Sequence, residues 1–175
     1  MQLKTIIITG TPGTGKTSIA KKLCNKFNYK YIDVNNIIKK YKISKGYDKK
    51  CKTKIVDIQK LNKALISEIK KIKKNITKKV NGVIIDSHLS HYLPYKYADL
   101  CIVTKCNLKA LKIRLKKRGY SKNKIRENLD AEIFDICYME ALENGHNILV
   151  MNTDKNPKMQ KIIKAMKSSD LYVVQ

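Results

Sequence analysis

The chain predicts an α/β fold in which helices flank a central parallel sheet, and three observations carry that expectation. Short β-branched apolar runs alternate with segments whose apolar residues recur every three or four positions, as in βαβ units. Gly10-Thr11-Pro12-Gly13-Thr14-Gly15-Lys16-Thr17 fits the phosphate-loop pattern G-x-x-x-x-G-K-[ST] and stands between the first such run and the first such segment. A later apolar run, Gly82-Val83-Ile84-Ile85-Asp86, ends in an acid.

The elements follow in order. A strand is expected near 3–9 around Ile6-Ile7-Ile8, then a helix over 16–27 burying Ile19, Ala20, Leu23, Cys24 and Phe27. A strand near 29–34, a helix over 35–42 and a basic loop over 44–53 come next. Residues 55–80 place Ile55, Ile58, Leu61, Leu65, Ile69, Ile72, Ile76 and Val80 at steps of three and four between lysines, which predicts one long amphipathic helix packed on the sheet. Strands at 82–86 and 99–104 bracket the middle of the chain, and a helix over 107–117 leads into the Arg118-Gly119-Tyr120 turn. A long helix is expected over 121–143, with Ser121 as its N-cap and Ile125, Leu129, Ile133, Ile136, Tyr138 and Leu142 turned to the core. A strand at 147–151 and a helix at 157–168 complete a single domain spanning 1–175.

The phosphate loop has a mechanical reason. Its glycines let the backbone curl until successive N–H groups face phosphate oxygens, and the helix that follows adds its positive end. Gly13, Gly15, Lys16, Thr17 and Ser18 are the expected ATP contacts, with Lys16 on the β and γ phosphates and the Thr17 hydroxyl on Mg²⁺. Asp86 is the acid expected opposite Thr17, holding the metal through water; the other reading open to a strand-end aspartate is capping of the next turn. His88 and His91 follow it, each able either to position a water or phosphate or to be satisfied by loop hydrogen bonds, with His88 preferred for the catalytic role. Nothing pairs a serine or cysteine nucleophile with a histidine, so transfer rests on positioning and electrostatics.

Net charge is +24, with 38 basic and 14 acidic residues. Two readings stay open: a surface for a polyanion such as RNA, or a compositional bias toward lysine. Only Arg114, Arg118 and Arg126 are arginines, and they fall within thirteen residues. The planar guanidinium grips phosphate in a way a lysine cannot, so all three are candidate phosphate contacts; the alternative is a helix-end salt bridge to Glu127, Asp130 or Glu132. Cys24, Cys51, Cys101, Cys106 and Cys137 form no C-x-x-C pair, which argues against a disulfide framework or zinc ribbon, and Cys101 and Cys106 are expected reduced and partly buried. No apolar window is long enough to cross a membrane, and no leader pattern is seen, so a cytoplasmic location is expected.

Four segments together resemble the adenylate kinase isoenzyme 6 family of archaea and eukaryotes over nearly the full length. They are G-T-P-G-T-G-K-T-S at 10–18, Gly46-Tyr47-Asp48, Asp86-Ser87-His88-Leu89-Ser90-His91 with Leu93-Pro94, and Arg114-Leu115-x-x-Arg118-Gly119-Tyr120 continuing through Arg126-Glu127-Asn128-Leu129-x-Ala131-Glu132. The resemblance implies a P-loop NTPase fold of the nucleoside-monophosphate kinase type. It implies a monophosphate-binding segment near 30–53 and a short lid near 117–127 carrying Arg118 to the ATP phosphates. It also implies phosphoryl transfer from ATP to an AMP-like acceptor, ATP hydrolysis, and a part in late maturation of the small ribosomal subunit through a platform ribosomal protein, with pre-ribosomal RNA as a further partner. Asn35-Asn36 stands where family members usually carry Gly-Asp or a similar pair, which leaves the acceptor open. Two other readings compete: a small-molecule kinase of the same fold, and an assembly switch that uses ATP to grip and release a ribosomal protein or RNA.

Overall fold

A computed structural model describes residues 4–48, 53–75, 80–154 and 159–167. Five parallel strands form the central sheet: β1 (Lys4–Thr9), β2 (Tyr29–Asp33), β5 (Gly82–Asp86), β6 (Leu100–Lys105) and β7 (Ile148–Asn152), in the order β2-β5-β1-β6-β7. Between β2 and β5 the chain forms a separate antiparallel pair, β3 (Ser44–Asp48) and β4 (Thr53–Val56). The helices are α1 (Lys16–Phe27), α2 (Val34–Lys40), α3 (Ile58–Lys74), α4 (Leu108–Lys117), α5 (Lys122–Ile133), α6 (Ile136–Glu143) and α7 (Met159–Lys167).

Ile6, Ile7 and Ile8 are fully buried because β1 lies mid-sheet with helices over both faces. Alternation along the strand splits them. Ile6 and Ile8 join Ile84 and Ile102 against Ile19, Ala20 and Leu23 of α1, while Ile7 joins Ile85 and Val103 against Leu61, Leu65 and Ile69 of α3. Helix starts are fixed by side chains: Ser121, as expected, and also Asp33, Asp57 and Asn107 each accept a backbone N–H in the first turn of the helix they precede.

Four expectations change. The basic stretch 44–53 is not a plain loop, since β3 and β4 pair across it with Gly46 opposite Ile55; residues 49–52, with Cys51, lie outside the described residues. The long helix therefore starts at Ile58, capped by Asp57, and ends at Lys74, while Ile55 is an exposed strand residue. Ile76 falls outside the described residues. The helix expected over 121–143 breaks in two where Asp135 adopts a left-handed conformation, φ 53°, one that aspartate tolerates better than branched residues. After that corner α6 turns Ala141 into the core, leaving Ile133, Ile136 and Leu142 exposed rather than buried. Cys101 is fully buried, and Cys106, at 8% exposure, is nearly so.

Candidate active site

Parallel sheets bind ligands at the carboxyl ends of their strands, where neighbouring connections diverge. Here β1 is flanked by β5 and β6, and the loop of residues 10–15 leaves its carboxyl end. Two positions show why glycine is needed. Gly10 has φ 133°, and a Cβ there would stand 2.4 Å from the Thr104 carbonyl oxygen; Gly15, φ 96°, starts α1 and would meet the Thr153 side chain at 3.3 Å. The loop is braced from β6 and β7. Thr104 Oγ1 lies 2.6 Å from Thr14 Oγ1, and Thr153 Oγ1 donates to the Thr14 carbonyl at 2.6 Å.

Lys16 is half-buried, and its ammonium donates to the carbonyls of Gly10 at 2.7 Å and Thr11 at 3.0 Å. Desolvation outweighs the nearby Cys137 and Asp86 and pulls its pKa down to about 8. Thr17 donates its hydroxyl proton to Asp86 Oδ2 at 2.6 Å. That bond spends the hydrogen and leaves the threonine lone pairs for a cation. Asp86, at the buried end of β5, takes a second hydrogen bond on the same oxygen from Tyr31 at 2.8 Å. The donor set of one hydroxyl oxygen and one carboxylate consists of hard oxygens and suits Mg²⁺, which takes few protein ligands and arrives with phosphates.

The two histidines part company. His91 is buried: its Nδ1 lies 2.7 Å from Thr9 Oγ1, and its Nε2 lies 2.8 Å from Glu140 Oε2, close although off the ideal hydrogen-bond line. Tyr92 donates to the other Glu140 oxygen at 2.8 Å, so α6 is tied to the last residue before the loop. His91 thus follows the loop-hydrogen-bond alternative. His88 opens into a second cleft, where desolvation by the walls, then Lys16, His91 and Lys124, push its pKa down to about 4. Solvent at the exposed ring weakens that push without reversing it, so the imidazole is neutral at physiological pH.

Two clefts flank the loop. One of about 550 Å³ is lined by Gly13, Gly15, Ser18, Arg114, Arg118 and Thr153 among others. The other, about 870 Å³, is lined by Asp33, Asn35, Asn36, Tyr47, His88 and Lys124 among others. Arg114 spends its fork on the Gly13 carbonyl at 3.3 Å and on Thr153, bracing the loop while lining the first cleft. Arg118 is exposed on that cleft at the C-cap of α4. Arg126 is brought to neither cleft; its side chain is 86% exposed and 3.9 Å from Asp130 on its own helix, the salt-bridge alternative.

Residue reading missed Tyr31, Thr153, Glu140 and Cys137. The Cys137 thiol takes a hydrogen bond from the Gly10 backbone beside Lys16, and burial raises its pKa to about 11. Thr153 follows the last strand, where a polar residue at a carboxyl end was a usable signal. The other three depend on strand register and on the corner at Asp135, which no local pattern reveals.

Comparison with known proteins agrees with this arrangement. Residues 6–135 match a family model described as an AAA domain. A Methanocaldococcus jannaschii protein described as "Putative adenylate kinase" is 40% identical over 162 residues, covering 93% of this chain and 85% of that protein. Among solved structures, a deoxyadenosine kinase from M. mycoides with bound dATP superposes with TM-score 0.54 at 19% identity, over 94% of this chain and all of the other. A shikimate kinase from Acinetobacter baumannii in complex with shikimate gives 0.57 at 14% identity, over 98% of this chain and 97% of the other. At such identity these two establish a shared fold, the P-loop kinase fold.

Proposed function

Because the chain belongs to the AAA-domain family and to the group of archaeal proteins described as putative adenylate kinases, we propose that it is a nucleoside-monophosphate kinase that converts ATP and AMP to two ADP and also hydrolyses ATP. The observation that carries this reading is the meeting of the loop, Thr17 and Asp86 between two separate clefts, one for each nucleotide. ATP would lie in the first cleft with its phosphates in the loop, and the monophosphate in the second, within the segment near 30–53. A phosphate oxygen of the acceptor forms a bond to the γ-phosphorus as the bond from that phosphorus to the β-bridging oxygen breaks. With water as the attacking group the same displacement is hydrolysis.

Lys16 leaves its two carbonyl partners for the β and γ oxygens, and Arg118, on the lid near 117–127, adds a planar fork to the spreading charge. Thr17 and Asp86 would hold Mg²⁺, Asp86 through water, and the ion would supply further positive charge at the phosphates. Neutral His88, facing the acceptor cleft, orients the attacking phosphate or water. A coupled assay of ADP production, with and without each nucleoside monophosphate, tests the reading. AMP is expected to raise ADP formation at least tenfold above hydrolysis, and Lys16→Met to abolish both while leaving the circular dichroism spectrum intact. No stimulation by any monophosphate would reject the kinase.

A second reading, an ATP-dependent switch on a ribosomal protein of the small subunit, is favoured by one feature. Ile133, Phe134, Ile136, Met139 and Leu142 are all more than 40% exposed around the α5–α6 corner. That stretch, 121–143, also holds six of the 14 acids of a chain whose net charge is +24. An exposed apolar patch of this kind suits a protein partner.

A further inference from the structure

The geometry points to Tyr31 as a positioning residue for the metal site, holding Asp86 in place through its hydroxyl; this rests on the functional reading above. Three elements converge on one atom. Thr17 comes from the first turn of α1, Asp86 from the end of β5 and Tyr31 from the middle of β2, and both hydroxyls donate to Asp86 Oδ2, at 2.6 and 2.8 Å. Register explains the reach: Asp33 pairs with Asp86 and Tyr31 with Ile84, so Tyr31 is the diagonal neighbour of Asp86 on one sheet face. A tyrosine ring spans that diagonal where a shorter side chain would not.

The two donors are not equivalent. Thr17 sits in the loop-to-helix turn, exposed, and is itself the expected ligand of the cation, so its hydroxyl is called on when nucleotide and metal arrive. Tyr31 lies outside the loop. Its half-buried ring packs against the buried residues between α1 and the sheet. Its phenol O–H is aimed at Asp86 Oδ2, at 2.8 Å, and a phenol is a donor at neutral pH. Tyr31 therefore anchors the same Asp86 oxygen from outside the loop, through a hydroxyl that is not itself a metal ligand, whereas the Thr17 oxygen is shared with the cation. Outer partners of this kind orient a metal-binding carboxylate and tune its affinity.

The test is Tyr31→Phe, which keeps the ring and its packing. Mn²⁺ is used as the probe, and its binding to the protein–ADP complex is followed by electron paramagnetic resonance. The expected result is a Kd for Mn²⁺ raised roughly tenfold to a hundredfold, the range for losing a hydrogen bond that orients a metal-binding carboxylate. ADP binding without metal is expected unchanged. Turnover should shift to higher Mg²⁺ demand and recover at saturating Mg²⁺. In an Asp86→Asn background the same substitution should have no further effect on Mn²⁺ affinity, because the hydroxyl acts through that carboxylate. Unchanged or tighter Mn²⁺ binding by Tyr31→Phe, or an equal effect in the Asp86→Asn background, would overturn the inference. If the unsubstituted protein failed to bind Mn²⁺ with ADP, the functional reading itself would fall, so the two failures are distinguishable.

Discussion

Lys16 shows how much of a site one side chain can reveal. With both of its hydrogen bonds directed to carbonyls of its own loop, and its pKa lowered to about 8 by desolvation, it is ready to exchange those oxygens for phosphates. Phosphate favours the charged form, so binding restores the lysine's affinity for its proton. ATP binding is therefore expected to weaken as pH rises from 7 through 9, with net proton uptake on binding between about 8 and 9, which calorimetry in buffers of differing ionisation enthalpy would measure. Stability runs the other way. The folded lysine loses its proton near 8 and the unfolded one near 10.5, so between them unfolding takes up a proton and this group's contribution rises with pH. The positions of Lys16 and Thr17 at the loop-to-helix turn were legible because the loop pattern encodes them locally. The roles of His91, Arg114 and Arg126 were not, because either of two partners satisfied the same chemistry until the fold chose one.

Among the elements, α3 and the α5–α6 pair make an instructive contrast. Both carry apolar residues at steps of three and four, yet Leu61, Leu65 and Ile69 are buried under the sheet while Ile133 is 55% exposed. Leu65→Ala is expected to cost about 2–5 kcal/mol of folding stability, the range for a large-to-small change in a packed core. Ile133→Ala should stay within about 0.5 kcal/mol, as surface changes do; urea unfolding of the two variants checks the pair. Periodicity identified the face that avoids lysine, and for α3 that face met the sheet. For α5–α6 it could not show the corner at Asp135, because one left-handed residue redirects everything after it while leaving the apolar spacing unchanged. The β3–β4 pair escaped for a related reason: its lysines obscure the alternation that marks a strand.

Across the whole molecule, charge and apolar surface are partitioned. The exposed corner around Phe134 belongs to α5 and α6, and the opposite side of α6 reaches the phosphate loop through Glu140, His91 and Thr9. A protein seated on that corner is one helix away from the glycine-rich loop. With the small-subunit platform ribosomal protein as ligand, affinity is expected to differ at least fivefold between ATP and ADP states, and Phe134→Asp to weaken it at least tenfold with ATP turnover unchanged. Titration by fluorescence anisotropy reads both, and equal affinities in the two states would dismiss the switch. By itself the amino-acid order determined the α/β class, the glycine-rich turn between β1 and α1 and the pairing of Thr17 with Asp86, since each depends on a short pattern or on strand-end placement. Only the tertiary structure decided that Tyr31 reaches Asp86, that His91 is spent on Glu140, and that the corner around Phe134 stays uncovered. Those contacts join residues distant in the chain, and strand register and a single backbone turn set their distances.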